Sequence, residues 1–172
     1  MARLPILVMG DRRLRETAEP VAEVGEEERQ LIDDMIETMH EAPGVGLAAT
    51  QVGVMKRLIV VDVTAGEQEG QALAFVNPEI SCPEGEQVGQ EGCLSVPEEF
   101  ADVRRPMRLR LNALDREGNP VNMEVEGLLA RIICHEVDHL DGVLFVDHLS
   151  SLKRNLIARR VRKRVAKEEE SA

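Results

Sequence analysis

Residues 128–141, LLARIICHEVDHLD, decide how this chain is read. The stretch is apolar around most of its circumference until Gly142, a residue type that commonly follows a helix C-terminus. It predicts a buried helix over Leu128–Asp141. Within it, His135 and His139 stand four apart, so both imidazoles fall on one face, one turn from each other. Glu136 sits about 100° round the helix from His135. That spacing supplies two ligands for an ion and a carboxylate beside them that can take a proton from water. Two imidazoles and a carboxylate inside an apolar helix would be costly to bury without such a role.

Working outward, Glu26–Glu41 predicts a second helix. Leu31, Met35 and Met39 share a face, Ile32 and Ile36 flank it, and Glu26, Glu27 and Glu28 suit its positive N-terminus. Pro43-Gly44 ends it. Residues 44–51, GVGLAATQ, form a loop of glycines and small residues. Arg57–Val63 and Ala72–Ile80 read as strands. Met107–Leu114 and Pro120–Glu126 alternate apolar and polar residues about the turn Asp115–Asn119, which predicts a hairpin. Ser150 or Ser151 can cap a last helix reaching about Lys167. Strands run between helices without βαβ alternation, so the class is α+β: strands packed around a buried metal-ligand helix, with an N-terminal and a C-terminal helix.

The chain has 172 residues, 43% hydrophobic and 31% charged, with no Trp or Tyr and 3 Phe. One domain over residues 1–172 with an aliphatic core is expected. Residues 151–167 form its basic helix, and residues 168–172 are expected as a disordered tail. The apolar run Ile6–Met9 is too short for a signal peptide, and no stretch approaches a membrane span. The expected location is the cytoplasm, with neither membrane nor DNA as partner. Three cysteines, Cys82, Cys93 and Cys134, without an export signal argue for reduced thiols. Net charge is −11, unevenly placed. Residues 151–172 hold 8 Lys/Arg and 3 Glu, a balance of +5, and residues 1–150 hold 13 Lys/Arg and 29 Asp/Glu, a balance of −16. A basic tail on an acidic body points to an electrostatic role for the tail.

A catalytic site of this kind needs a third protein ligand and an open position. Spacing alone leaves Cys93, Asp138, His148 and a distant Glu as candidates. Cys93 would be a strong soft ligand as a thiolate. Asp138 points off the ligand face and could instead brace a ligand. On the residues alone the chain reads as a metal-dependent hydrolase, a zinc endopeptidase among the possibilities, or as a non-catalytic metal-binding module associated with the ribosome.

Three segments taken together, 44–51 (GVGLAATQ), 91–95 (EGCLS) and 135–139 (HEVDH), resemble the signature motifs of peptide deformylases, in that family's order. Asp11–Val21, Asp141–Asp147 and Leu149–Lys153 resemble the family's flanking segments, so the likeness covers nearly the whole chain. The resemblance implies removal of the formyl group from the N-terminal Met of nascent proteins, with release of formate. It implies Cys93, His135 and His139 as ligands of one divalent ion. Fe2+ is expected natively, and Zn2+, Ni2+ or Co2+ can substitute. It implies Glu136 as general acid and base, and Gln51 with the Leu94 backbone N–H as donors to the formyl oxygen. Gly44, Val45, Gly46, Glu91, Gly92, Leu128 and Ile132 are implied on the substrate side, with the two loop glycines letting an extended peptide approach. Arg105 is expected to pair with Glu91, and Arg131 to stand near the mouth of the methionine pocket. Two departures stand out. Cys134 replaces the family's usual Gln before the first His, and Glu98-Glu99 follow Pro97 where Gly is common. Formyl-methionyl nascent peptides are the expected substrate partner, and the ribosome is expected to dock on the basic helix through its RNA.

Overall fold

The computed structural model describes residues 2–171. Its first helix, α1 (Glu26–Glu41), covers the predicted span. Ile32, Met35 and Met39 are wholly buried on its inner face. Glu28 reaches back to the Gly25 N–H, 2.8 Å, and closes the first turn.

Five antiparallel strands form the main sheet in the order β1 (Gly46–Ala48), β2 (Leu58–Val61), β3 (Leu73–Glu84), β6 (Arg108–Leu114) and β7 (Pro120–Glu126). The predicted hairpin is β6–β7, paired from Arg108↔Glu126 to Leu114↔Pro120. The loop expected over residues 44–51 contains the short edge strand β1, with Leu47 opposite Val60. A second, separate hairpin joins β4 (Gln87–Cys93) to β5 (Val96–Arg105). Neither of these strands was expected.

The metal-ligand helix is α2 (Gly127–Leu140), one residue ahead of the predicted bounds. It lies against the main sheet and shares a core with Ile59, Val61, Phe75, Leu109, Leu111 and Val125 through Ala130, Ile132, Ile133 and Leu140. An aliphatic core of this kind follows from the near absence of aromatic residues. The last helix, α3 (Ser151–Ser171), continues past Lys167. Residues 168–171, expected as a disordered tail, are therefore helical. Its inner stripe is short: Ile157 and Val161, one turn apart, pack with Val96, Val103, Leu144, Phe145 and Val146.

The C-terminal end of α2 is locked to the N-terminal segment. Gly142 has φ +75° and ends the helix in the left-handed region. A Cβ there would stand 2.5 Å from the Arg15 carbonyl oxygen. The Arg15 guanidinium in turn donates to the Gly142 carbonyl, 3.1 Å, and the Ala18 N–H to the Leu140 carbonyl, 2.8 Å. Gly142→Ala therefore meets both an unfavourable φ and rigid backbone. A loss of more than about 1 kcal/mol is expected from urea unfolding, and an unchanged midpoint would contradict this account of the α2 terminus.

Candidate metal centre

The hairpin β4–β5 and the helix α2 come together on one buried carboxylate. Glu91, on β4, is 5% exposed. Its Oε1 accepts from Arg105 Nη2 and from His135 Nδ1, both at 2.9 Å. Its Oε2 accepts from Arg105 Nε at 2.9 Å and from Arg131 Nη1 at 2.7 Å. Four donors fill the acceptor capacity of one carboxylate. Burial alone would raise the Glu91 carboxyl, but the Arg105 and His135 hydrogen bonds and their charges outweigh it and hold it well below the usual carboxylate range. The expected Arg105–Glu91 pair is thus present, and Glu91 serves the histidine with no oxygen left over for a substrate.

This contact sets the chemistry of His135. An ionised carboxylate only accepts, so Nδ1 carries a proton and Nε2 is the ring nitrogen that faces inward. There it lies 3.2 Å from His139 Nε2, which is 3.3 Å from Cys93 Sγ. All three donor atoms lie within 4.8 Å of one another. Donors around a tetrahedral ion with bonds of about 2.0–2.3 Å would stand about 3.3–3.7 Å apart. The donor set of one thiolate and two imidazoles therefore fits a divalent ion in both geometry and type. Among the described residues no other group of three or more His, Cys, Asp or Glu is arranged this way.

The remaining ligand candidates fall elsewhere. Asp138 Oδ2 accepts from Arg105 Nη1 at 2.7 Å and bonds His148 Nε2 at 2.8 Å. Asp138 thus braces the arginine that braces Glu91, and His148 donates to Asp138. Cys134 faces the core, where burial pushes its thiol up to about 11 and keeps it protonated.

Glu136 is 4% exposed, and its Oε1 has no hydrogen-bond partner among the described residues. A buried, unpartnered carboxylate oxygen beside three converging potential ligand atoms leaves one acceptor free for a group brought into the site. Burial is the main cause raising its pKa to about 7. That value suits a group exchanging protons near neutrality. Gly46 makes room for it, because a Cβ at Gly46 would stand 2.5 Å from Glu136 Oε2. At Gly44 the added Cβ would stand 2.9 Å from the Leu94 side chain. Close packing within the site, on both sides of the loop, is what these two glycines allow.

Gln51 follows β1 in a 3₁₀ turn and is 1% exposed. The Ala48 N–H donates to its Oε1 at 2.9 Å, which directs Nε2 to Ser95 Oγ at 3.0 Å and Cys93 Sγ at 3.6 Å. Leu94 and Ser95 are the turn between β4 and β5. Ser95 escaped the sequence reading, where its only signal was a place within the EGCLS segment.

A cavity of about 620 Å³ opens over this centre. Val45, Gly46, Gln51, Cys93, Leu94, Leu128, Ile132, His135 and Glu136 line it together with Pro97, Glu98, Glu99 and Phe100. Val45 and Leu128 expose apolar surface to it, whereas Ile132, 4% exposed, also belongs to the core. Gly92 lines it too, and there a Cβ would stand 2.5 Å from the Phe100 ring. Arg131, expected near the pocket mouth, lines the cavity and is largely buried. Besides Glu91 its Nη1 binds the carbonyls of Gly89 and Val103, at 3.2 and 2.9 Å.

Fold and site have the make-up of a metal-dependent hydrolase: three side chains that could hold an ion, with one buried carboxylate beside them. A family model described as polypeptide deformylase matches residues 3–155. A peptide deformylase of Alkalilimnicola ehrlichii is 56% identical over 165 residues, 96% of this chain and 92% of that protein. The crystal structure of a peptide deformylase from Legionella pneumophila superposes with a TM-score of 0.91 at 44% identity, covering 99% of each chain. That of Ehrlichia chaffeensis in complex with actinonin gives 0.89 at 39% identity, over 95% of this chain and 98% of that one. The chain belongs to the polypeptide deformylase family, metal-dependent hydrolases that remove the N-formyl group from nascent peptides. The endopeptidase and non-catalytic readings left open by the residues alone are set aside.

Glu91→Ala strands Arg105 and Arg131 without their shared anion. A loss of about 3–5 kcal/mol at pH 7 is expected from chemical unfolding. A lowered carboxyl pKa stabilises above the unfolded value and loses that effect as pH falls. The difference between variant and parent should therefore shrink below about pH 4. A variant as stable as the parent at pH 7 would contradict the clamp.

Proposed function

We propose that Cys93, His135 and His139 hold one divalent ion and that Glu136 moves the protons of formyl-methionyl peptide hydrolysis. The observation that carries this is the unpartnered Glu136 carboxylate beside the three converging ligand atoms. When bound, the ion would supply Lewis-acid chemistry and acidify water. Glu136 takes the proton from that water as hydroxide adds to the formyl carbon. Gln51 Nε2, aimed at the cleft by the Ala48 N–H, and the Leu94 N–H donate to the oxygen as negative charge builds there. Glu136 then delivers its proton to the departing amine, and formate leaves. Val45, Leu128 and Ile132 receive the methionine side chain in the apolar part of the cavity.

Fe2+ is our reading of the native ion, with Zn2+, Ni2+ and Co2+ as substitutes. A thiolate with two imidazoles accommodates each of them. Six basic residues of α3, Lys153, Arg154, Arg159, Arg162, Lys163 and Lys167, form no salt bridge among the described residues. They support docking on ribosomal RNA, close to emerging chains, with a steep dependence on salt. Among the described residues no helix is long and apolar enough to cross a membrane; we place the protein in the cytoplasm, where the Cys93 thiol stays reduced. The packing of α2 against the main sheet and β5, and of α3 against β5, supports residues 1–172 as one domain.

Metal-loaded parent should release formate from a formyl-Met peptide. Glu136→Ala should lower kcat by about 10²–10⁴-fold while keeping one metal per chain. Absence of formate from the loaded parent would overturn the proposal, as would a fully active variant. In air the iron form should lose activity faster than the nickel or zinc form, because only iron brings redox chemistry to the thiolate. Equal decay of all three would count against iron's distinct role.

A further inference from the structure

Pro97, Glu98 and Glu99 form one wall of the cavity, and all three are gripped by α3. Glu99 is 5% exposed, although it lies next to exposed Phe100. Its carboxylate receives Arg160 Nη2 on Oε1 at 2.8 Å and Arg164 Nη1 on Oε2 at 2.6 Å. Arg164 Nη1 also donates to the Pro97 carbonyl at 3.0 Å, and its Nε lies 3.2 Å from Glu98 Oε2. Arg160 and Arg164 are one helical turn apart, on the flank of the buried Ile157–Val161 stripe. The helix that looked like a basic appendage thus ends two of its cations inside the wall of the cleft.

The wall needs that grip for a physical reason. Glu98 has φ +64°, a left-handed conformation that a glutamate adopts only under external constraint. A carboxylate as buried as Glu99 is tolerated only while paired, and removing its partners leaves an uncompensated charge that drives the segment toward water. No strand neighbour supplies a partner: every salt bridge of Glu99 among the described residues goes to α3.

We propose that Arg160 and Arg164 are positioning residues for substrate binding, holding the Pro97–Glu99 wall in place from α3. They stand far from the proton-transferring groups in role, acting through the wall on how well peptide binds. The proposal rests on this cavity being the substrate cleft.

The test uses the full-length, metal-loaded protein and a formyl-Met tripeptide. Formate release by the parent establishes the cleft reading independently of the variants. For Arg160→Gln/Arg164→Gln we expect KM to rise about fivefold to twentyfold with kcat within twofold, the pattern of lost uniform binding. Metal content should stay at the parent level. Adding Glu99→Gln removes the stranded charge, and KM should return to within about threefold of the parent, as a double-mutant cycle requires of coupled groups. Arg160→Gln alone, at a half-exposed side chain that tolerates change, should shift KM in the same direction by less. Unchanged KM in both arginine variants would overturn the proposal. So would a raised KM that Glu99→Gln fails to relieve, or a loss confined to kcat.

Discussion

One buried carboxylate sits at the centre of the contact between the β4–β5 hairpin and α2. Glu91 accepts four hydrogen bonds from Arg105, Arg131 and His135. Through them the hairpin that carries Cys93 is tied to the helix that carries both histidines. The strand pair that carries Cys93 forms its own two-stranded sheet, paired with no strand of the main sheet among the described residues. The same carboxylate selects the tautomer in which His135 Nε2 faces the ligand cluster. Structural coupling and ligand preparation are thus a single interaction. The cations around it are themselves braced, Arg105 by Asp138, which also bonds His148, and Arg131 by two carbonyls. Burying so many charges is favourable only because nearly every lone pair finds its proton.

Glycine and burial do the rest. Gly46 lets the backbone of β1 close over Glu136, and the resulting burial raises that carboxyl to about 7. Burial is the largest cause, while the charges of His135 and Arg105 pull the carboxyl down and those of Glu91 and Asp138 push it up. Gln51 is oriented by a backbone N–H and Ser95 by the tight turn between β4 and β5. Each group around the cleft is therefore set by regular backbone elements, which limits how far it can stray.

Much of this was legible in the chain. The α2 periodicity placed His135, Glu136 and His139 correctly, and α1 and the β6–β7 hairpin followed from their apolar patterns. The β4–β5 hairpin was not legible, for a reason visible in its residues. Its inward positions include Glu91, Glu99 and Arg105 alongside Val96 and Val103. Ion pairs with α2 and α3 take the place of the apolar alternation that marks a half-buried strand. Gly89 and Gly92 in β4 and Pro97 in β5 further weaken any strand signal. Arg131 does line the cavity, as its place in the family pattern implied, but its burial and its bonds to Glu91, Gly89 and Val103 were not legible. Helix α3 ran past its expected end because nothing in Glu168-Glu169-Glu170 breaks a helix.

The central claim is that Cys93, His135 and His139 together hold the ion. X-ray absorption at the metal edge of the loaded protein reads the ligand set directly. One sulfur at about 2.3 Å and two imidazole nitrogens at about 2.0–2.1 Å are predicted. A shell with no sulfur, or with two, would contradict it.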